Sequence, residues 1–212
     1  MTGCGCGDSV KFDGLSAAYK RALGAVIGIN AAMFLIEMGA GMLAGSQALK
    51  ADALDFLGDT ATYAITLFVI GMPLIWRARA ALLKGLSLGM MGFWVLGSTA
   101  YHALVLGVPQ AEMMGAIGFL ALAANLSSVL LLLKYRDGDA NVRSVWMCSR
   151  NDAIGNFAVI LAASGVWATN TPWPDLIVAG IMASLFLWSS TRIVRQAFLE
   201  LRATPILSGA QG

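Results

Sequence analysis

Six apolar stretches, each long enough to cross a bilayer as a helix, take up almost the whole chain: roughly 22 to 44, 51 to 75, 80 to 106, 113 to 133, 144 to 168 and 175 to 195. A helical crossing needs about 20 such residues. Lipid admits only segments that satisfy their own backbone hydrogen bonds, which favours helices. The pattern therefore predicts an all-α integral membrane protein of six transmembrane helices. Composition agrees: 58% of the residues are hydrophobic and 12% charged, and the mean hydropathy is +0.74, values that exclude a soluble domain.

The basic residues fix an orientation. Lys11, Lys20 and Arg21 precede the first stretch, and Arg77, Arg79 and Lys84 lie between the second and third. Lys134, Arg136 and Arg143 lie between the fourth and fifth, and Arg192, Arg195 and Arg202 close the sixth. The opposite loops hold only Lys50. By the positive-inside rule both termini are cytoplasmic and the number of spans is even. The organisation expected is a cytoplasmic N-terminal segment over 1–20, a six-helix transmembrane domain over 21–198 and a short cytoplasmic tail over 199–212. No short apolar core with a small-residue cleavage site precedes the first stretch, so no removed signal peptide is expected. The net charge of +2 is spread over four segments as topological markers, not gathered into a nucleic-acid patch. Gly24, Gly28, Gly39, Gly41, Gly85, Gly89 and Gly92 lie within the stretches and suit close helix packing in lipid. Trp76, Trp146 and Trp173 read as interface anchors.

Asp52, Asp55 and Asp59 interrupt the second stretch, and Cys148 and Asp152 the fifth. A charged side chain at the bilayer centre costs roughly 2.5 to 3.5 kcal/mol, so four unpaired carboxylates would cost on the order of 10 kcal/mol. Bases near these positions are too few to neutralise them, and a bound cation is the economical partner. Residues three, four and seven apart share a helix face, so the three aspartates form one acidic stripe. Cys148 and Asp152 are four apart, a spacing at which two side chains can chelate one ion. Asp55 and Asp59 with Cys148 and Asp152 would make a site of three carboxylates and one thiolate. Tetrahedral O and S ligands suit Zn²⁺, and the thiolate moves preference towards Cd²⁺. Asp52 sits a turn nearer the outer mouth, where it pairs with Lys50 or lines the exit. Cys4 and Cys6 lie on the reducing side, where a thiolate pair that captures soft metal is the alternative to a tail without function. His102 reads as an interfacial residue, and Asn30, Asn125 and Asn156 as interhelical hydrogen-bonding groups, with coordination as the alternative.

The run Ser46-Gln-Ala-Leu-Lys-Ala-Asp-Ala-Leu-Asp-Phe-Leu-Gly-Asp59 is similar to the second-span signature of the cation diffusion facilitator family. Asn141-Val-Arg-Ser-Val-Trp-Met-Cys-Ser-Arg-Asn-Asp-Ala-Ile-Gly-Asn156 resembles that family's matching segment on the fifth span. The resemblance covers nearly all six stretches. It implies a divalent-cation/proton antiporter of the cell (inner) membrane, not an enzyme, that exports metal, usually zinc, as a homodimer. It also implies that Asp55, Asp59, Cys148 and Asp152 hold the transported ion at mid-membrane. Glu37 falls where the family often carries an acid on its first span. Cys148 stands where the family usually has His, and Asp55 where zinc members often have His. Family members generally carry a cytoplasmic metal-binding domain after the sixth span, and the sequence reads as a short form without it.

Two other functions compete. Membrane-embedded phosphotransferases also cluster aspartates to hold divalent ions, and Asp52-Ala-Leu-Asp55 begins like their motif, but the later elements of that motif do not follow. A proton-coupled exporter of organic cations would have no need of the Cys148 and Asp152 pair.

Overall fold

The computed structural model describes residues 16–69, 74–105, 107–136 and 140–208. Cys4, Cys6 and Lys11 lie outside the described residues. Six long helices follow one another: α1 (Ala17–Ala44), α2 (Gln47–Val69), α3 (Leu74–Leu104), α4 (Ala111–Leu132), α5 (Ala140–Thr169) and α6 (Trp173–Ser208), with a 3-10 turn over Leu133–Tyr135 after α4. There is no strand among the described residues.

Local chemistry explains the helix ends. Ser16 caps α1, its hydroxyl accepting from the Tyr19 amide at 3.2 Å, as an N-cap serine does. At the other end Gly45 takes φ 70°, a left-handed conformation open to glycine at little cost. The Ser46 amide then returns to the Gly41 carbonyl at 3.0 Å, closing a Schellman turn. The α1–α2 connection is thus two residues, tighter than the six-residue loop the sequence suggests. Between α5 and α6 the chain turns over Asn170–Pro172, with Asn170 at φ 50°. α6 continues through Ser208, so helix extends into the segment expected to be tail.

Among the described residues, five helices are long and apolar enough to cross a membrane. α2 falls outside that set because Asp52, Asp55 and Asp59 interrupt it. Packing supplies the reason it can be polar. α3 pairs mainly with α6, α4 with α5 and α1 with α2, whereas α2 touches each of the other five. α2 is therefore the central helix, screened from lipid by its neighbours. Large apolar side chains such as Leu35, Leu43, Phe93, Phe119 and Trp167 are exposed on the outside of the bundle, where lipid replaces water as the solvent. One buried cluster, including Leu49, Met114, Val159 and Val166, packs towards the end that carries Ser46 and Gln110. Another, including Tyr19, Leu23, Tyr63 and Val145, packs towards the end that carries Lys20, Arg79 and Lys134, called the basic end below.

The glycines divide into two groups. A Cβ on Gly85 would lie 2.8 Å from Val194 Cγ2, one on Gly89 2.7 Å from Ser190 Oγ, and one on Gly92 3.0 Å from Leu187, while Gly41 is as tight against Lys50 and Leu49. The Ser190 hydroxyl also donates to the Gly85 carbonyl at 2.6 Å, fastening α6 to α3. Gly24, Gly28 and Gly39 meet nothing within 4 Å, so the packing role read from the sequence applies within this chain to four of the seven. Gly85→Val is accordingly expected to force α3 from α6 and cost about 1 to 3 kcal/mol. Gly24→Ala should be neutral or slightly stabilising, because alanine is the better helix former by up to about 1 kcal/mol. Thermal unfolding of the two variants in detergent checks the contrast.

Candidate metal centre

α2 and α5 run in opposite directions past each other, and each carries its polar pair about one-third to one-half of the way along. Asp55 and Asp59 stand roughly 12 and 18 Å from the start of α2, and Cys148 and Asp152 roughly the same distances from the start of α5, by the 1.5 Å rise per residue. The helices begin at opposite ends of the bundle, which sets Asp55 level with Asp152 and Asp59 level with Cys148.

All four side chains line one cavity of about 420 Å³ between α2, α3, α5 and α6. The Asp152 carboxyl lies against both Asp55 and Asp59. Such a contact between two acceptor-only carboxylates is favourable only with a proton or a cation between them. Among the described residues no three His, Cys, Asp or Glu side chains gather on a common centre as an ion requires; the carboxyls lean on one another in pairs. Asp55, Asp59 and Asp152 also line a smaller void together with Phe56 and Asn125 of α4. Asn125, expected to bridge helices with coordination as the alternative, abuts the acidic centre.

Tyr63 ties the two helices together at this level. Its hydroxyl donates to Asp59 Oδ2, contacts the Cys148 thiol, and lies 3.5 Å from the Val145 carbonyl and from Ser149 Oγ. Tyr63 is fully buried, so it orients Asp59 from the basic-end side. The sequence signal was its place four residues after Asp59, on the same helix face.

Asp52 does not join this group. It is 1% exposed and Glu37 0% exposed, and their carboxyls touch across the α1–α2 seam. Both Glu37 oxygens and Asp52 Oδ2 lack any hydrogen-bond donor. The partner of Asp52 is therefore Glu37, and Lys50 instead lies near Asp175. Arg150 is exposed and stacks over Trp146 at 5.5 Å, turned from Asp152 as its two-residue offset requires.

Polar contacts tie the helices together at the end of the bundle opposite the basic end. Asp175 of α6 accepts from Ser46 Oγ at 2.6 Å, from the Gln47 amide at 2.8 Å and from the Ala48 amide at 3.0 Å. Its carboxylate thereby caps α2 from another helix, at the positive end of the α2 dipole. Gln47 Oε1 accepts from Ser98 of α3 at 2.6 Å, and the Gln110 amide donates to the Ala44 carbonyl at 2.9 Å. Nothing in the spacing of the apolar stretches singles out Asp175, which follows Pro174 in a loop-like run.

A family model described as the cation efflux transmembrane domain matches residues 77–202. The chain is 25% identical over 199 residues to the metal cation efflux system protein CzcD of Cupriavidus metallidurans, covering 86% of this chain and 61% of that protein. It is 28% identical over 188 residues to the zinc transporter ZitB of Escherichia coli, covering 82% of this chain and 60% of ZitB. The cation efflux system protein CzcD of an Alcaligenes strain is 25% identical over 186 residues, covering 80% of this chain and 56% of the relative. The chain thus spans about three-fifths of the length of the curated relatives it matches.

Proposed function

We propose that this chain, which belongs to the cation efflux (cation diffusion facilitator) family, exports a divalent metal cation in exchange for protons through Asp55, Asp59, Cys148 and Asp152. It is a multi-pass membrane protein. The observation that carries the proposal is the convergence of three carboxyls and a thiol, from two helices, on one cavity inside a lipid-facing bundle. Zn²⁺ is the expected cargo, with Cd²⁺ accepted because of the thiol. The names of the relatives, a zinc transporter and cation efflux systems, support transport over enzymatic chemistry.

The same groups would serve metal and proton in turn. Each ligand must be deprotonated to bind an ion, so metal entry releases protons and protonation expels metal. The cavity runs from Asp55 and Met182 towards Lys84 and Ile193 nearer the basic end, while the Asp175 and Gln110 contacts close the other end. With the basic end cytoplasmic, this arrangement favours access from inside. In this reading all six helices span the inner membrane over 21–198, the segments 1–20 and 199–212 lie in the cytoplasm, and the transporter works as a homodimer. Cys4 and Cys6 are then candidates for delivering soft metal from the cytoplasmic side.

The test is metal flux into proteoliposomes holding the purified protein, read with an entrapped zinc- or cadmium-sensitive dye under an imposed pH gradient. Gradient-dependent uptake is the expected result, and its absence for both metals overturns the proposal. Cys148 makes a sharper prediction within the same assay. Cys148→Ser should lower Cd²⁺ flux relative to Zn²⁺ flux by about tenfold, because a hydroxyl is a hard ligand where the thiolate is soft. Cys148→His should retain Zn²⁺ flux, since imidazole suits zinc.

A further inference from the structure

Lys84 lies inside the third apolar stretch, five residues beyond Arg79. In the bundle its side chain lines the same cavity as Asp55, Asp59, Cys148 and Asp152, and is the one basic side chain described there. On α3 it belongs to a stripe with Ser87, Leu88 and Met91 that faces the cavity. The adjacent stripe of Gly85, Gly89 and Gly92 is pressed against α6. The root of Lys84 is thereby fixed while its four-carbon stem retains freedom to swing. Three other described bases on these helices stack on tryptophans: Arg79 over Trp76, Arg150 over Trp146 and Arg192 over Trp188. The Lys84 charge acts on Asp55, Asp59 and Cys148.

We propose that the Lys84 ammonium is a tethered counter-cation of the carboxylate centre, displaced by an incoming divalent ion and returning as the ion leaves. An intramembrane lysine is costly and faces a partner or a wet cavity; here it faces the cavity that the carboxylates line. Between transport steps the ammonium offsets one of their three charges. When a divalent ion arrives, two cations compete for one set of oxygens, and the tethered one is repelled. Its presence therefore weakens metal binding and hastens release, setting the affinity at which cargo is held. Lys84 is in this sense a positioning residue for the exchange and not a ligand. The inference rests on the proposed site and would fall with it.

The experiment is Cd²⁺ titration by calorimetry of the full chain in detergent, together with Cd²⁺ flux in proteoliposomes. Wild type is compared with Lys84→Met, Lys84→Gln, Lys84→Arg and Asp59→Asn. Removing the charge should tighten Cd²⁺ binding by at least about tenfold, a lower bound for a nearby charge at intermediate dielectric, and lower both KM and maximal flux. Lys84→Arg should behave like wild type in both respects, which a purely structural role for the stem would not produce. Unchanged or weaker binding in both Lys84→Met and Lys84→Gln overturns the inference. If those variants are unaltered while Asp59→Asn abolishes binding, the site survives and Lys84 has no such role. If wild type binds no Cd²⁺, or binds it equally without Asp59, the site itself is wrong and the inference fails with it.

Discussion

Asp59→Asn and Asp152→Asn are each expected to reduce gradient-driven zinc flux by at least about 100-fold while the protein still folds. Asparagine keeps the volume of aspartate and one oxygen, so the Tyr63 hydroxyl that donates to Asp59 retains an acceptor. What is lost is the charge, and with it, in the proposed mechanism, both a metal ligand and a proton carrier. Loss of a group that only orients a ligand costs 10- to 100-fold in affinity, which sets the floor for losing the ligand itself. Tyr63→Phe provides that comparison, with a decline of roughly tenfold expected. Size-exclusion profiles should match wild type for all three. Flux within a few-fold of wild type in both aspartate variants would remove the ion from this centre.

The contrast with Asp52 matters for how the site is read. Asp52 shares the stripe with Asp55 and Asp59, and periodicity alone groups the three. The structure divides them because α2 packs against all five other helices: its α5-facing portion meets Asp152, and its α1-facing portion meets Glu37. A 3.6-residue period reveals that residues share an arc of helix, but not which neighbour each part of that arc touches.

Most of the architecture was legible because lipid imposes a length and a hydropathy on each crossing. The apolar stretches match α1 to α6 within a few residues at most ends. The i, i+4 pairs on α2 and α5 were legible for the same geometric reason, and they line one cavity. Tyr63, Lys84 and Asp175 were not singled out. Tyrosine in an apolar run reads as packing until its hydroxyl is seen to meet Asp59. Lys84 was absorbed into the count of basic loop residues, although its depth in the third stretch was the available clue. Asp175 acts on residues nearly 130 positions away in sequence, a tertiary contact that no local pattern encodes.

Asp175→Ala is the substitution expected to destabilise the fold most. The first amides of a helix have no partner within it, and those of Gln47 and Ala48 are buried, so water cannot replace the carboxylate that Asp175 provides. The substitution removes three hydrogen bonds to a charged acceptor, leaves two buried amides unsatisfied and takes a negative charge from the start of the α2 dipole. Each unsatisfied buried group costs about 1 to 3 kcal/mol, and the dipole contribution is up to about 2 kcal/mol. A loss of about 3 to 5 kcal/mol follows, partly offset because Ser46 Oγ still accepts from the Leu49 amide at 3.0 Å. Asp175→Asn, with one acceptor oxygen left, should fall about midway. Thermal unfolding in detergent gives the ranking wild type, Asn, Ala; equal stability of all three would mean that α2 is held in place without its borrowed cap. The consequence reaches the candidate metal centre because α2 carries Asp55 and Asp59 on the same helix. In the proposed mechanism, a cap released at its first turn lets that end separate from α6 and opens the far side of the cavity. Variants that fold should therefore leak zinc down its gradient without a proton gradient, and the same liposome assay reads that leak.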